Sequence, residues 1–302
     1  MKKLLITGGS GFVGQNIIQI IKKLELPIEI FNLSRATLDI DGIHHIQCDD
    51  AADFDFGTLH EQFDYVINSL ALSNDAYCKD FEYAQKVNIW FTKKLLEFCQ
   101  TQEHLKKLVH FSSIIVYDNA NPSPVREDTK LYLHYSNYGF TKGISEYYVE
   151  HYRKKYGVPA VIFRLSNIYG PYQNFTNSPF LIPSKIMQGI TEGKIEVFDL
   201  SPRRDWIYAE DAAQAAVKSL ESSIAGIFNL GSGIGVSISE IIGEIARQLG
   251  VPYASLNKPT TGPKDFYCDM GKTHDALGWS SAVNLQEGIA RTIDYMKKNM
   301  KT

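Results

Sequence analysis

Thr7-Gly8-Gly9-Ser10-Gly11-Phe12-Val13-Gly14 lies between a short apolar run, residues 3–7, and a stretch whose apolar residues recur at helical spacing. In that stretch Val13, Ile17, Ile20, Ile21 and Leu24 share a face, and Pro27 closes it. The octapeptide therefore occupies a strand-to-helix turn. Gly8, Gly11 and Gly14 form a G-x-x-G-x-x-G spacing. Glycine permits the tight turn and lets backbone N–H groups approach a pyrophosphate at the positive end of the helix. Such a triplet is weak evidence alone, but strong at the first strand–helix junction of an alternating chain. Gly8, Gly11, Phe12, Val13 and Gly14 are the candidate contacts to a dinucleotide.

The alternation continues outward from this loop. Residues 28–33, 43–48, 64–71, 105–112 and 160–165 read as strands, and residues 12–24, 81–102 and 135–156 as helices. This order predicts an α/β chain with a Rossmann-like, doubly wound parallel sheet covered by helices on both faces. Past residue 166 the pattern loosens, with Pro, Gly and Asn gathered in residues 169–174. Helices are expected at 182–192, 210–222, 237–249 and 285–300. The expected division is a dinucleotide-binding domain, 1–166, and a smaller C-terminal substrate domain, 167–302, with some segments returning to the first.

Composition narrows the partners. The 302 residues are 44% hydrophobic and 22% charged, with a net charge of -3, which gives no reason to expect nucleic acid. Cys48, Cys78, Cys99 and Cys268 are scattered without metal-ligand spacing, so no metal site is expected. The apolar run at residues 4–6 is far shorter than the roughly 7–15 residues of a secretory core. No stretch approaches the roughly 18–20 apolar residues of a membrane span. The expected location is the cytoplasm, without a membrane partner.

The second strand bears on the choice of dinucleotide. An acidic residue at its end usually holds the ribose 2′-hydroxyl of NAD. Here the place is taken by Asn32, followed by Leu33, Ser34 and Arg35. No carboxylate repels a 2′-phosphate, and Ser34 with Arg35 are able to bind one, which tilts the reading towards NADP over NAD. The plainer alternative for Arg35 is a solvated loop charge.

Tyr138-Gly139-Phe140-Thr141-Lys142 places a tyrosine and a lysine four residues apart, on one helical face. A phenol with an ordinary pKa of about 10 is a poor acid or base near pH 7 until a cation stabilises its phenolate. Lys142 supplies that cation and can also hold the nicotinamide ribose. The spacing is common by chance, and Tyr132, Tyr135, Tyr147 and Tyr148 stand nearby. The third candidate is Ser113, at the carboxyl end of the fifth strand, where parallel sheets bind ligands. Ser112 competes for the role, and strand-end capping explains either serine without chemistry.

Together these elements resemble the extended short-chain dehydrogenase/reductases, the group that contains nucleotide-sugar epimerases, dehydratases and 4-ketoreductases. Arg164-Leu165-Ser166-Asn167-Ile168-Tyr169-Gly170-Pro171 is similar to the group's R-x-x-N-x-Y-G-P segment, and Arg204-Asp205-Trp206-Ile207-Tyr208 to its R-D-F-I-Y segment. The resemblance implies a catalytic set of Ser113, Tyr138 and Lys142. It also implies a nucleotide-sugar substrate held by Ser113, Asn167 and Arg204, and a homodimer formed through two long helices. Asp49, Ala71 and Asn88 fall at positions that meet the cofactor in the group. A sensor that binds NADP without turnover would be expected to lose part of the catalytic set.

Departures from the group's pattern sharpen the expectation. Dehydratases carry Asp-Glu directly after the Ser/Thr, where this chain has Ile114-Ile115, so dehydration and decarboxylation are disfavoured. Asn68 replaces the usual histidine after the fourth strand, and Lys258-Pro259-Thr260 lacks the usual arginine. Two readings remain at the sugar's C4: a 4-ketoreductase, slightly preferred through Arg35, and a 4-epimerase with tightly held NAD.

Overall fold

The computed structural model describes residues 1–133, 136–260 and 262–300. Tyr135, at the expected start of a helix, lies outside the described residues. The strands are β1 (Lys2–Thr7), β2 (Ile28–Ser34), β3 (Ile43–Gln47), β4 (Tyr65–Asn68), β5 (Lys107–Ser113), β6 (Ala160–Leu165), β7 (Asn167–Tyr169), β8 (Ile195–Val197), β9 (Arg203–Tyr208), β10 (Gly226–Leu230), β11 (Gly235–Ser237), β12 (Tyr253–Ser255) and β13 (Asp265–Phe266). The helices are α1 (Phe12–Lys23), α2 (Phe81–Gln85), α3 (Phe91–Gln100), α4 (Asn137–Tyr156), α5 (Leu181–Glu192), α6 (Ala209–Ser219), α7 (Ile238–Leu249), α8 (Gly271–Leu277) and α9 (Leu285–Asn299).

Seven strands form the main sheet in the order β10-β6-β5-β4-β1-β2-β3, and every neighbouring pair is parallel. Its strands are apolar on both faces because both faces are covered. Leu4, Ile6 and Ile30 pack with Ile17, Ile21 and Ala216 on one side. Leu5, Val66 and Leu108 pack with Leu96 and Val149 on the other. The chain reverses its direction of growth between β1 and β4, and at such a switch point the carboxyl ends of the strands open a crevice.

The part after residue 166 has a small sheet in which β9 is flanked by β11 and β13 and also pairs with β7. Its core is rich in isoleucine: Ile182, Ile186, Ile241, Ile245 and Ile289. Two of its elements return to the main sheet, β10 as an edge strand and α6 against α1.

Two differences from the expectations have local causes. The helix expected over residues 81–102 is interrupted by a π-helical turn, Lys86–Trp90, which inserts a residue and turns Asn88 inward. The strand expected over 64–71 stops at Asn68, because the next residues cross over the glycine turn. No helix among the described residues is long and apolar enough to cross a membrane.

Candidate active site

The glycine turn is built by close backbone approach. Gly8 has φ +75°, and a Cβ there would lie 2.9 Å from the backbone of Leu70. A Cβ on Gly14 would lie 2.4 Å from Gly8 O. Gly8 N donates to Leu33 O at 2.8 Å and Gly11 N to Gly8 O at 2.9 Å, which closes the turn onto β2. No side chain caps α1 and its first turn holds no acid, so its N-terminal amides face the crevice, where a pyrophosphate fits. Phe12 and Val13 are partly exposed beside it.

Asn32 is fully buried. Its Nδ2 turns to His45 Nδ1 at 3.5 Å, and its Oδ1 has no partner. A Cβ on Gly9 would lie 2.3 Å from that oxygen, so Oδ1 is an unused acceptor against the glycine turn. Ser34 is buried and donates to Ala36 O at 2.9 Å. Arg35 is exposed, and its charge reaches Cys48 and Tyr83. Asp49 is exposed and accepts from Gln47 Nε2 at 2.9 Å. These features fit a dinucleotide: a cradle that side chains would fill and an open helix N-terminus.

Ala71 lies in the partly exposed loop after β4. Asn88 fastens this loop from behind. Leu72 N donates to Asn88 Oδ1 at 2.8 Å, and Asn88 Nδ2 donates to Leu72 O at 3.1 Å and to Thr141 Oγ1 at 2.9 Å. Its amide hydrogens are thus spent on the loop and on α4, and Asn88 holds Leu72 in place. Asn68 shows why an amide serves in its place: it accepts from Thr7 Oγ1 at 2.8 Å and meets His110 Nδ1 at 3.2 Å, tying β1 to β5.

Ser113 ends β5 and Tyr138 stands in the first turn of α4, whose start Ser136 caps by accepting from Gly139 N at 3.0 Å. Ser113 Oγ accepts from Ile115 N at 3.3 Å and stands beside the Tyr138 side chain. Ser112 is buried, and its Oγ has no partner. Lys142 lies one turn beyond Tyr138, buried, and donates to Phe111 O at 2.6 Å. Burial draws the Lys142 ammonium down to about 8, against the opposing charges of Glu146 and Cys78.

The phenol shows an effect opposite to that expected of a lysine-activated base. Burial pushes Tyr138 up to about 12, with Ser113 acting against the rise and Cys78 and Asp75 adding to it. Lys142 does not offset this, since its ammonium points to Phe111 O. Tyr138 is therefore a neutral phenol near neutral pH. Asp75, which sequence reasoning did not single out, accepts from Tyr138 N at 3.1 Å.

At the other end of the cleft Asn167 donates to Asp205 O at 2.9 Å. Arg204 is half-buried and borders a cavity of about 280 Å³, together with Lys185, Phe198, Asp199 and Ile238. Lys258 places its ammonium 5.7 Å from the Phe198 ring centre. Asp205, quoted in the sequence only as part of a motif, is a hub. Its carboxylate accepts from Ser166 Oγ, Ser232 N and Oγ, Gly233 N and Cys268 N, at 2.7–3.2 Å. Among the described residues no group of His, Cys, Asp and Glu forms a metal site.

A parallel sheet with a glycine cradle at its switch point and a Ser–Tyr–Lys cluster beside it defines a dinucleotide-dependent enzyme. More narrowly, the chain belongs to the NAD dependent epimerase/dehydratase family, whose sequence pattern matches residues 4–231. It is similar to the UDP-glucuronate 4-epimerase of Thermodesulfobacterium geofontis, with 31% identity over 219 residues, 71% of this chain and 66% of that protein. It is 25% identical over 323 residues to a trifunctional Arabidopsis thaliana protein, a UDP-glucose 4,6-dehydratase, 3,5-epimerase and reductase. That match takes in 99% of this chain but 47% of the Arabidopsis protein, so the chain spans about half its length. Among solved structures it resembles the UDP-glucuronic acid 4-epimerase of Bacillus cereus in complex with UDP-glucuronic acid and NAD. There the TM-score is 0.87 at 26% identity, covering 98% of this chain and 99% of that one.

Proposed function

We propose that the chain is a nucleotide-sugar 4-epimerase that works with NAD and a UDP-sugar. The observation that carries this reading is the placing of Ser113, at the end of β5, beside Tyr138 in the first turn of α4, with Lys142 buried one turn further on. The similarity to two UDP-glucuronate 4-epimerases supports C4 as the site and UDP as the nucleotide. The similarity to a UDP-glucuronic acid 4-epimerase solved with NAD supports NAD. The competing reading, a 4-ketoreductase using NADPH, rests on the exposed Arg35 at the same loop.

When bound, the nicotinamide supplies the hydride acceptor and donor. Gly8, Gly11 and Gly14 admit the pyrophosphate, and Phe12 and Val13 border it. Ser113 Oγ holds the sugar's C4 oxygen, and Tyr138 moves the proton of that oxygen. As a buried neutral phenol it gives the proton to a keto oxygen. To take it from a hydroxyl it needs positive charge nearby, from Lys142 and the oxidised ring. Arg204 pairs with the diphosphate, helped by Asn167, and the cavity at Phe198 takes the base. Held there, the nucleotide anchors a sugar that must present both faces of its C4. Ile114 and Ile115 keep a second proton donor away from C5 and C6. The exposed aromatic residues Trp90 and Tyr147, on the outer faces of the π turn and α4, suit a homodimer built on these helices. Four buried free cysteines suit a reducing cytoplasm.

The test is to purify the chain, release its nucleotide and incubate it with UDP-glucuronic acid or UDP-glucose. Retained NAD with interconversion of C4 epimers is the expected result. Exchangeable NADPH, consumed once per product only when a UDP-4-keto-hexose is supplied and with no interconversion of the C4 epimers, overturns it in favour of the reductase.

A further inference from the structure

The mechanism above leaves a buried ion pair without a task. Glu146 lies one turn beyond Lys142 on α4 and is 3% exposed. Arg164 of β6, 2% exposed, donates to its carboxylate through Nε at 3.1 and 3.2 Å and through Nη2 at 2.8 Å. The far side of the guanidinium is fixed as well. Its Nη1 donates to Glu127 O at 3.1 Å, and it lies over the Tyr117 ring at 4.7 Å. Tyr117 in turn donates to Asn229 Oδ1 at 2.5 Å, and Asn229 N donates to Glu127 Oε1 at 2.7 Å. The pair is thus oriented, with the carboxylate on Lys142's own helix and the guanidinium held from the opposite side. A buried pair of this kind roughly breaks even in stability, because desolvation offsets attraction. Its fixed direction asks for another explanation.

We infer that Glu146 is a positioning residue for Lys142. Its carboxylate, one helical turn away and pinned by Arg164, keeps the buried Lys142 ammonium charged where it donates to Phe111 O. The inference rests on the role proposed above for Lys142. The groups placed around Lys142 are Tyr138 and Glu146, each one turn away on its own helix, Cys78 from the loop before α2, and His110 from β5. His110 is held well below its ordinary range by burial and by Lys142. Burial, with Asp75, pushes Cys78 up to about 11. Tyr138 is up to about 12. Across roughly pH 7–10 the group of this set that changes charge is therefore Lys142. Removing the charge of Glu146 exposes Lys142 to Arg164, and the ammonium gives up its proton at lower pH. Removing the charge of Arg164 acts in the opposite sense.

The experiment is a series of NADH fluorescence titrations of the full chain from about pH 6.5 to 10. The proteins are the wild type, Glu146→Gln, Arg164→Gln, the double variant and Lys142→Met. In the wild type NADH affinity is expected to fall as the pH passes about 8. In Glu146→Gln the fall comes about one unit earlier, so near neutral pH it binds NADH several-fold more weakly. In Arg164→Gln the fall comes later, and in the double variant it lies below that of Arg164→Gln. Loss of a purely structural contact would move the two single variants the same way, and that result overturns the inference. So does a flat Lys142→Met profile accompanied by an unmoved Glu146→Gln midpoint. If Glu146→Gln does not fold, the double variant against Arg164→Gln isolates the carboxylate, and equal midpoints overturn the inference. A Lys142→Met protein that keeps the wild-type pH dependence removes the role of Lys142 itself, and the inference with it.

Discussion

The two ends of the cleft are made in different ways. The cofactor end comes from short, contiguous stretches: a turn of eight residues, one helical turn from Tyr138 to Lys142, and the end of β5. The end at the Phe198 cavity is assembled from α5, β8, β9 and α7 together with residue 260, pieces far apart in the chain. Its frame depends on one buried carboxylate, Asp205, which joins the ends of β6 and β10 to the segment before α8. Local motifs suffice where the chemistry is backbone geometry and one helical face. A pocket for a base and a diphosphate needs surfaces from several elements.

This contrast can be broken or sharpened by substitution. The largest effect is expected at the cofactor end. Tyr138→Phe removes the proton carrier and should lower turnover by about 100- to 10,000-fold while leaving NADH affinity unchanged. Steady-state rates set against a fluorescence titration decide this, and near-normal turnover would dismiss Tyr138. Next comes Asp205→Ala, which strands five donors and should cost about 3 kcal/mol or more in urea unfolding. If NADH still binds within about 3-fold of wild type, the two ends are separately built; if both fail together, they are not. Arg204→Ala should weaken UDP binding about 10- to 30-fold by calorimetry, with NADH binding untouched. A UDP affinity equal to the wild type's would remove the diphosphate from that arginine.

The smallest effect has the opposite sign. Burial holds Lys142 at about 8 in the folded chain, against 10.5 as its ordinary value. The unfolded chain thus binds more protons between these values, so this residue's penalty is full at neutral pH and fades as the pH rises through them. Lys142→Met should raise Tm by about 2–5 °C near pH 7, with the gain shrinking towards pH 10, although turnover is lost. A calorimetric scan at the two pH values reads it, and an unchanged Tm at pH 7 would mean that Lys142 is not strained by burial.

Much of the fold was legible because its signals are local. Strand runs apolar on both faces, separated by helical periods, specify a covered parallel sheet, and glycine at 8 and 14 is demanded by contacts that any Cβ would break. The π turn at residues 86–90 was not legible, since it depends on Asn88 reaching both Leu72 and Thr141. Nor was the pairing of β9 with β7, β11 and β13, which are two or three residues long and carry no period of their own. Nor was the orphaned oxygen of Asn32, which is seen only once β2 is laid against the glycine turn.

The sequence by itself determined which groups this enzyme carries: a glycine turn on a strand–helix junction, a hydroxyl at a strand end, and a phenol and an amine on one helical face. Tertiary structure alone decided their charge states and reach. Burial raised the phenol and lowered the amine, an oriented Glu146–Arg164 pair was set one turn beyond Lys142, and Asp205 gathered Ser166, Ser232, Gly233 and Cys268 from distant segments. Protonation and pocket shape depend on how much water and which neighbours surround a group, and only the folded chain sets both.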